Sequence, residues 1–166
     1  MLKINFKKFF LYSFLTMLIF ILDRLSKLYI IKIAETNNTV DIYLSPYLNL
    51  YLIWNKGIAF GLFSFEQSSI YNFVTILIVF ITFVILLMIV KSNDYRAYFL
   101  IFILGGSLSN LFDRINYSSV PDFIDFHIND FHWFIFNVAD IFITIGVICL
   151  IFVEIFFKNK INNEND

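Results

Sequence analysis

The chain has 166 residues, of which 60% are hydrophobic, 20% aromatic and only 15% charged, with a mean hydropathy of +0.79 and a formal net charge of −1. This composition argues against an ordinary soluble domain, and the absence of a basic excess argues against nucleic acid as a partner. A single cysteine, Cys149, and two histidines argue against a disulfide framework and against a haem or iron–sulfur carrier.

Runs of about 20 apolar residues cross roughly 30 Å of hydrocarbon. Four such runs occur, at about 9–31, 70–90, 97–113 and 134–157. The expected fold is an all-α membrane protein with four transmembrane helices and a small extracytoplasmic β-cradle. The first run follows Lys3, Lys7 and Lys8 and ends in DRLSK, where a cleaved leader would carry small residues, so it reads as a retained helix. Near its end Asp23 precedes Lys27 by one turn, the orientation that favours an ion pair. That pair is either a helix-end clasp with a snorkelling lysine or a supporting, substrate-orienting element.

The outer segment, about 35–66, alternates through VDIYLSPYLNLYLIW with a break at Pro46, which predicts two short strands or a small curved sheet. NKG at 55–57 signals a turn, and IAFGLFSF after it predicts a short apolar helix at the interface. Trp54, and Trp133 further on, suit an outer aromatic belt. The second run holds no charge and reads as a plain lipid-facing span. In the third, LGGSLSN sets Gly105 and Ser109 four apart, a spacing that permits close helix packing. That helix ends in Asn110, Asp113 and Arg114, a polar set suited to fixing the outer loop, with Arg114 able to snorkel outward.

A connection over 114–133 leads to the fourth run, which carries Asn137 and Asp140 on one face. With the helix starting near Phe134, Asp140 falls on the order of 9 Å inside it. Residues 1–158 read as a single domain, followed by a polar, disordered tail over 159–166. Lys91 and Arg96 between runs two and three, and Lys158 and Lys160 after run four, join the N-terminal lysines on the cytoplasmic side. Both termini are then cytoplasmic, and the segments 32–69 and 114–133 lie outside.

Ionisable groups at membrane depth are costly and usually mark a functional site. Asp122 and Asp140 are the foremost. A buried aspartate needs a partner, and the 18-residue separation lets the chain fold back and bring the two together. Two adjacent carboxylates share one proton, so one activates water while the other donates to a carbonyl oxygen and helps protonate the leaving amine. Metal chemistry has weaker support. No HExxH motif occurs, and Asp125, His127, Asp130 and His132 in DFHINDFH read as an ordinary acidic, histidine-bearing surface loop. Ser107 and Ser109 lack the context of a serine nucleophile. A small transporter or proton channel is the main rival, yet the charged groups all fall in the outer half and run two offers no polar path. A scaffold whose polar groups only knit helices is the second rival.

DRLSK, NKGIAFG, GGSLSNLFDR, VPDFIDFH and FNVADIFITIG, in that order over about residues 23–146, resemble the lipoprotein signal peptidases, or signal peptidase II. The resemblance implies four transmembrane helices, an outer β-cradle and a metal-free aspartic endopeptidase of the bacterial inner membrane. Such an enzyme needs no cofactor and cleaves diacylglyceryl-modified prolipoproteins just before the lipidated cysteine. By position it places the catalytic pair on Asp122 and Asp140, and the supporting residues on Asp23, Lys27, Asn55, Gly57, Asn110, Asp113, Arg114, Asn137 and Ala139. Arg24, Ser109 and Pro121 depart from the usual glutamine, glycine and valine. Membrane lipid is the expected surrounding, and a monomer the expected state.

Overall fold

The computed structural model describes residues 6–57, 68–92, 94–129 and 131–162. In chain order the elements are α1 (Phe6–Asn37), β1 (Asp41–Ser45), β2 (Leu48–Asn55), α2 (Ser68–Lys91), α3 (Arg96–Tyr117), β3 (Val120–Ile128), β4 (Phe131–Phe136) and α4 (Val138–Asn162).

Glycines decide how the helices meet. A Cβ on Gly105 would lie 2.8 Å from the Ile19 Cβ of α1, and one on Gly106 would lie 2.6 Å from the Ala139 carbonyl oxygen of α4. Gly146 of α4 answers with a Cβ position 2.7 Å from the Phe99 carbonyl oxygen. Adjacent glycines thus let α3 approach α1 on one side and α4 on the other, which makes it the central helix. Half of its span is buried inside the protein, against 17% for α2 and 22% for α4. Between the helices Ile19, Ile85, Ile89, Leu100, Ile101, Ile103 and Leu104 form one apolar cluster. The close-packing residues are therefore Gly105, Gly106 and Gly146, whereas Ser109 serves a polar contact described below.

Outward, the helices present large apolar side chains such as Phe73, Ile76 and Phe80 of α2, a surface that hydrocarbon solvates and water does not. Tyr71–Lys91, Arg96–Tyr117 and Val138–Phe156 are long and apolar enough to cross a membrane. Of the four expected spans these are three. The fourth, α1, is 32 residues long but is not among them.

The four strands form one antiparallel sheet in the order β1-β2-β3-β4. β1 and β2 form the hairpin that the alternation predicts, with Ser45 opposite Leu48 across the Pro46 break. β2 and β3 are neighbours in the sheet but are joined through α2 and α3. Their register sets Ile53 opposite Asp122, Trp54 opposite Pro121 and Asn55 opposite Val120. Pro121 is tolerated in this interior strand because the β3–β4 ladder begins only at Ile124 opposite Phe136, beyond the residue that lacks an N–H. Ile30, Val40 and Phe123 seal the sheet against α1.

Several sequence expectations shift. The segment over 114–133 is not an open connection, because α3 runs on to Tyr117 and β3 and the first half of β4 follow. Helix four starts at Val138 rather than near Phe134, since the apolar run before Asn137 pairs as a strand. α4 also continues to Asn162, into the polar tail. IAFGLFSF and residues 163–166 lie outside the described residues.

Candidate active site

The N-terminus of α4 is built by a reciprocal cap. Asn137 is the N-cap, and its Oδ1 accepts the Asp140 N–H at 3.1 Å, while Asp140 Oδ2 accepts the Asn137 N–H at 3.2 Å. This is the capping-box arrangement with aspartate at the third helical position. Asp140 therefore sits in the first turn of α4 and not two turns in, and its carboxylate lies at the electropositive end of the helix. The same Asn137 uses its Nδ2 to donate to Asp122 Oδ1 at 2.6 Å. One side chain consequently fixes both aspartates.

Asp122 arrives from β3 and is 1% exposed. Its second oxygen accepts from Asn55 Nδ2 at 2.8 Å, a diagonal contact across the β2–β3 register. Asn55 in turn accepts the Gly57 N–H at 2.7 Å, closing the turn after β2. Burial first, and then the facing charge of Asp140, push the Asp122 carboxyl up to about 7, although the Asn55 and Asn137 amides and the Lys27 charge pull the other way. At neutral pH Asp122 is thus divided between its two protonation states.

Beneath the pair lies a closed set of charges contributed by α1 and α3. Lys27 and Asp23 are fully buried, and the Lys27 ammonium reaches Asp23 Oδ2 at 2.6 Å, Asn110 Oδ1 at 2.7 Å and Asp113 Oδ2 at 2.7 Å. Three acceptors match its three protons, so the lysine does not snorkel. Asp23 also accepts from Ser109 Oγ at 2.6 Å and from the Ala139 N–H at 2.8 Å. The second contact ties α1 directly to the first turn of α4. Asn110 completes the chain by donating its Nδ2 to Asp140 Oδ1 at 2.8 Å.

Arg24 pairs with Asp113 Oδ1 and lies 4.9 Å over the Phe112 ring. Arg114, expected to reach outward, is instead 5% exposed. Its Nη2 donates to the Gly57 carbonyl, and its guanidinium lies 5.4 Å over Tyr71. The reason is geometric: the turn after β2 offers it a buried acceptor and α2 an aromatic face. Four buried carboxylates, those of Asp23, Asp113, Asp122 and Asp140, thus face three buried cations. The set is electrically neutral when the aspartate pair holds one proton.

The structure therefore brings together every site residue expected from the sequence. Asp122, Asp140, Asn137, Asn55, Asn110, Lys27, Asp23, Asp113 and Ala139 form one connected network, and Gly57 and Arg114 close its outer edge. Sequence reasoning missed Tyr71, whose hydroxyl also donates to the Arg114 carbonyl at 3.2 Å, and no pattern in the sequence marks it. It noted Arg24 only as a departure and Ser109 as a departure and a packing residue, although each bonds to a network carboxylate. The large apolar groove of about 1140 Å³ lined by α1, α2 and α3, with Tyr12, Phe20, Leu108 and Phe112 among its walls, lies on the opposite side of α3 from Asn110 and Asp113. It does not reach the carboxylates.

Residues 15–157 match the family model described as signal peptidase (SPase) II. The lipoprotein signal peptidase of Pelagibacter ubique is 57% identical over 164 residues, covering 99% of each chain. That of Anaplasma phagocytophilum is 39% identical over 141 residues, covering 85% of this chain and 89% of its own. Among solved structures, a bacterial membrane enzyme determined by the in meso method at 2.3 Å superposes with a TM-score of 0.72 at 27% identity, covering 87% of each chain.

Proposed function

We propose that this chain, which belongs to the signal peptidase II family, is an intramembrane aspartic endopeptidase. It removes the signal peptide from diacylglyceryl-modified prolipoproteins by cutting on the N-terminal side of the lipidated cysteine. The observation that carries the mechanism is Asn137, whose one side chain holds Asp122 and caps Asp140 within a buried network.

In this mechanism the pair binds one proton between its members. The ionised carboxylate takes a proton from water as the water oxygen attacks the scissile carbonyl. The protonated carboxyl donates to the carbonyl oxygen, and the tetrahedral intermediate collapses as the leaving amine gains a proton. Neither step requires a cofactor. Asn55 and Asn137 orient Asp122, and Asn110 and the cap orient Asp140. Lys27, held by Asp23 and Asp113, supplies positive charge that keeps the pair from taking up a second proton.

Residues 1–158 act as one membrane domain, with 159–166 as a polar cytoplasmic extension, in the inner membrane of a bacterium. α1 crosses the bilayer together with α2, α3 and α4. Burial and pairing of Asp23, Arg24 and Lys27 support this, because they remove most of the cost of charge at that depth. Both termini then face the cytoplasm, as the flanking lysines favour, and the sheet and the aspartates lie near the outer face. The working unit is a monomer surrounded by lipid, and the substrate's acyl chains stay in the bilayer while its peptide bond reaches the pair.

The test is cleavage of a diacylglyceryl-modified prolipoprotein peptide by purified protein in chelator, comparing wild type with Asp122→Asn and Asp140→Asn. Both variants are expected to stay folded and to lose at least about 10²-fold in rate, the lower end for removal of a general acid or base. Retained cleavage by either variant refutes the pair. Intact function with only reduced stability would favour a scaffold, and proton flux without cleavage a transporter.

A further inference from the structure

Three donor side chains converge on the sheet, apart from the aspartate pair. Asp125 and His127 are two apart on β3 and so point to one side of it, whereas Asp122, three residues before Asp125, points to the other. His132 of β4 stands directly opposite His127 in the register. Its Nδ1 lies 2.8 and 3.0 Å from the two Asp125 oxygens, and the His127 and His132 rings stack with centroids 5.2 Å apart. One donor atom from each of the three residues lies within 4.8 Å of the others.

Hydrogen bonding among these residues leaves the cluster unsatisfied. His127 is only 8% exposed, and its Nδ1 is buried without a hydrogen-bond partner, 3.7 Å from the carboxylate that His132 already occupies. Asn49 stands opposite Asp125 on β2, hence on the same side of the sheet, and its Oδ1 is also buried without a partner. Buried polar atoms of this kind normally find a ligand or an ordered water.

We propose that Asp125, His127 and His132 form a binding site for a first-row divalent cation, of which Zn²⁺ fits the donor set best. Two imidazole nitrogens and one carboxylate are a recurrent three-ligand set for zinc. Tetrahedral bonds of about 2.0–2.1 Å separate ligand atoms by about 3.4 Å, and the 2.8 and 3.7 Å separations found here lie on either side of that value. The remaining separation, within 4.8 Å, must close by up to about 1.4 Å to reach that value, which rotation of the exposed His132 ring out of its stack on His127 supplies. The ion takes the lone pair of His127 Nδ1 and that of His132 Nδ1, whose ring proton moves to Nε2 as the tautomer changes. A water in the fourth position would donate to Asn49 Oδ1. The site is structural: it clamps β3 to β4, and peptide cleavage does not pass through it.

Full-length protein carrying a non-histidine affinity tag, purified in detergent and stripped with chelator, is titrated with ZnCl₂ by calorimetry. The expected result is one saturable equivalent, a melting midpoint that rises with zinc concentration, and at least tenfold weaker binding in His132→Ala. That side chain is 57% exposed, so the variant is expected to stay folded, and its zinc-free melting midpoint, lowered by loss of the bond to Asp125, is the baseline from which any zinc-induced rise is read. Co²⁺ substituted into the wild type supplies a check that needs no variant, because a tetrahedral nitrogen and oxygen site gives intense visible bands. Absence of saturable uptake, uptake unchanged in His132→Ala, or an octahedral cobalt spectrum overturns the site.

Discussion

Asp122 makes a prediction about stability that is separate from catalysis. Its carboxyl stands at about 7 in the folded protein, against about 3.9 in an unfolded chain. Between those values the folded state holds a proton that the unfolded state has lost. Stability is then full below about pH 4, falls as pH rises, and levels off above about 7. A gap of about three pKa units at about 1.4 kcal/mol each gives a decline of about 4 kcal/mol. Asp122→Asn removes the titration. Asparagine has a single acceptor oxygen where Asp122 uses both oxygens, toward Asn55 and Asn137, so the variant carries a cost of about 1–3 kcal/mol at every pH. That offset leaves the pH dependence untouched. The free-energy difference between variant and wild type should therefore move by about 4 kcal/mol in the variant's favour from pH 4 to pH 7.5. Cys149, the one cysteine in the chain, is partly buried in α4 and serves as a thiol reporter for denaturant unfolding in micelles. Parallel curves for the two proteins across that pH range would show that burial and the neighbouring carboxylate do not act on Asp122 as described.

Asn137→Ser keeps a helix cap but loses the donor to Asp122, whereas Asn137→Ala loses both. Alanine should cost about 1 kcal/mol more in stability, and both should cut cleavage and move its acidic limb to higher pH, as pH-rate profiles will show. Lys27→Met leaves Asp23, Asn110 and Asp113 facing a gap in their buried pairing, so a loss of about 3–5 kcal/mol is expected. An unchanged melting midpoint in that variant would contradict the network. Gly106→Ala drives a methyl against the Ala139 carbonyl, so α4 must shift with Asp140 on its first turn. A destabilisation of about 1–3 kcal/mol with a larger loss of cleavage is expected, and Leu108→Ala in the apolar groove on the other side of α3 is the control.

Much of this arrangement is legible from residue pattern because apolar runs are long and charges within them are few. α2 and α3 fall within a few residues of their expected bounds, and the alternation around Pro46 marks β1 and β2. β3 and β4 were hidden for two different physical reasons. DFHIND is polar enough to read as loop, and the apolar FHWFIF merges with the helix after it, since an apolar run alone does not separate strand from helix. The boundary was nonetheless written in NVAD, where an N-cap asparagine precedes an aspartate at the third helical position. Burial of Arg114 was not legible, because its acceptor at Gly57 and its aromatic face at Tyr71 come from distant segments.

β2 and β3 lie side by side yet are separated in the chain by two helices, and this order has a consequence for biogenesis. Asn55 and Asp122, hydrogen-bonded in the finished protein, are 67 residues apart, and Asp23 waits for an Ala139 that is 116 residues further on. On the proposed topology α1 enters the bilayer during synthesis without α3 or α4, and until they arrive the Asp23–Lys27 pair within its own helix is what offsets its buried charge. The sheet closes only after α2 and α3 have been made and have returned the chain to β2. The last event, seating of α4, brings Asp140 to Asp122. A nascent or truncated chain therefore holds no assembled pair, and on the proposed mechanism the enzyme is silent until α4 is seated.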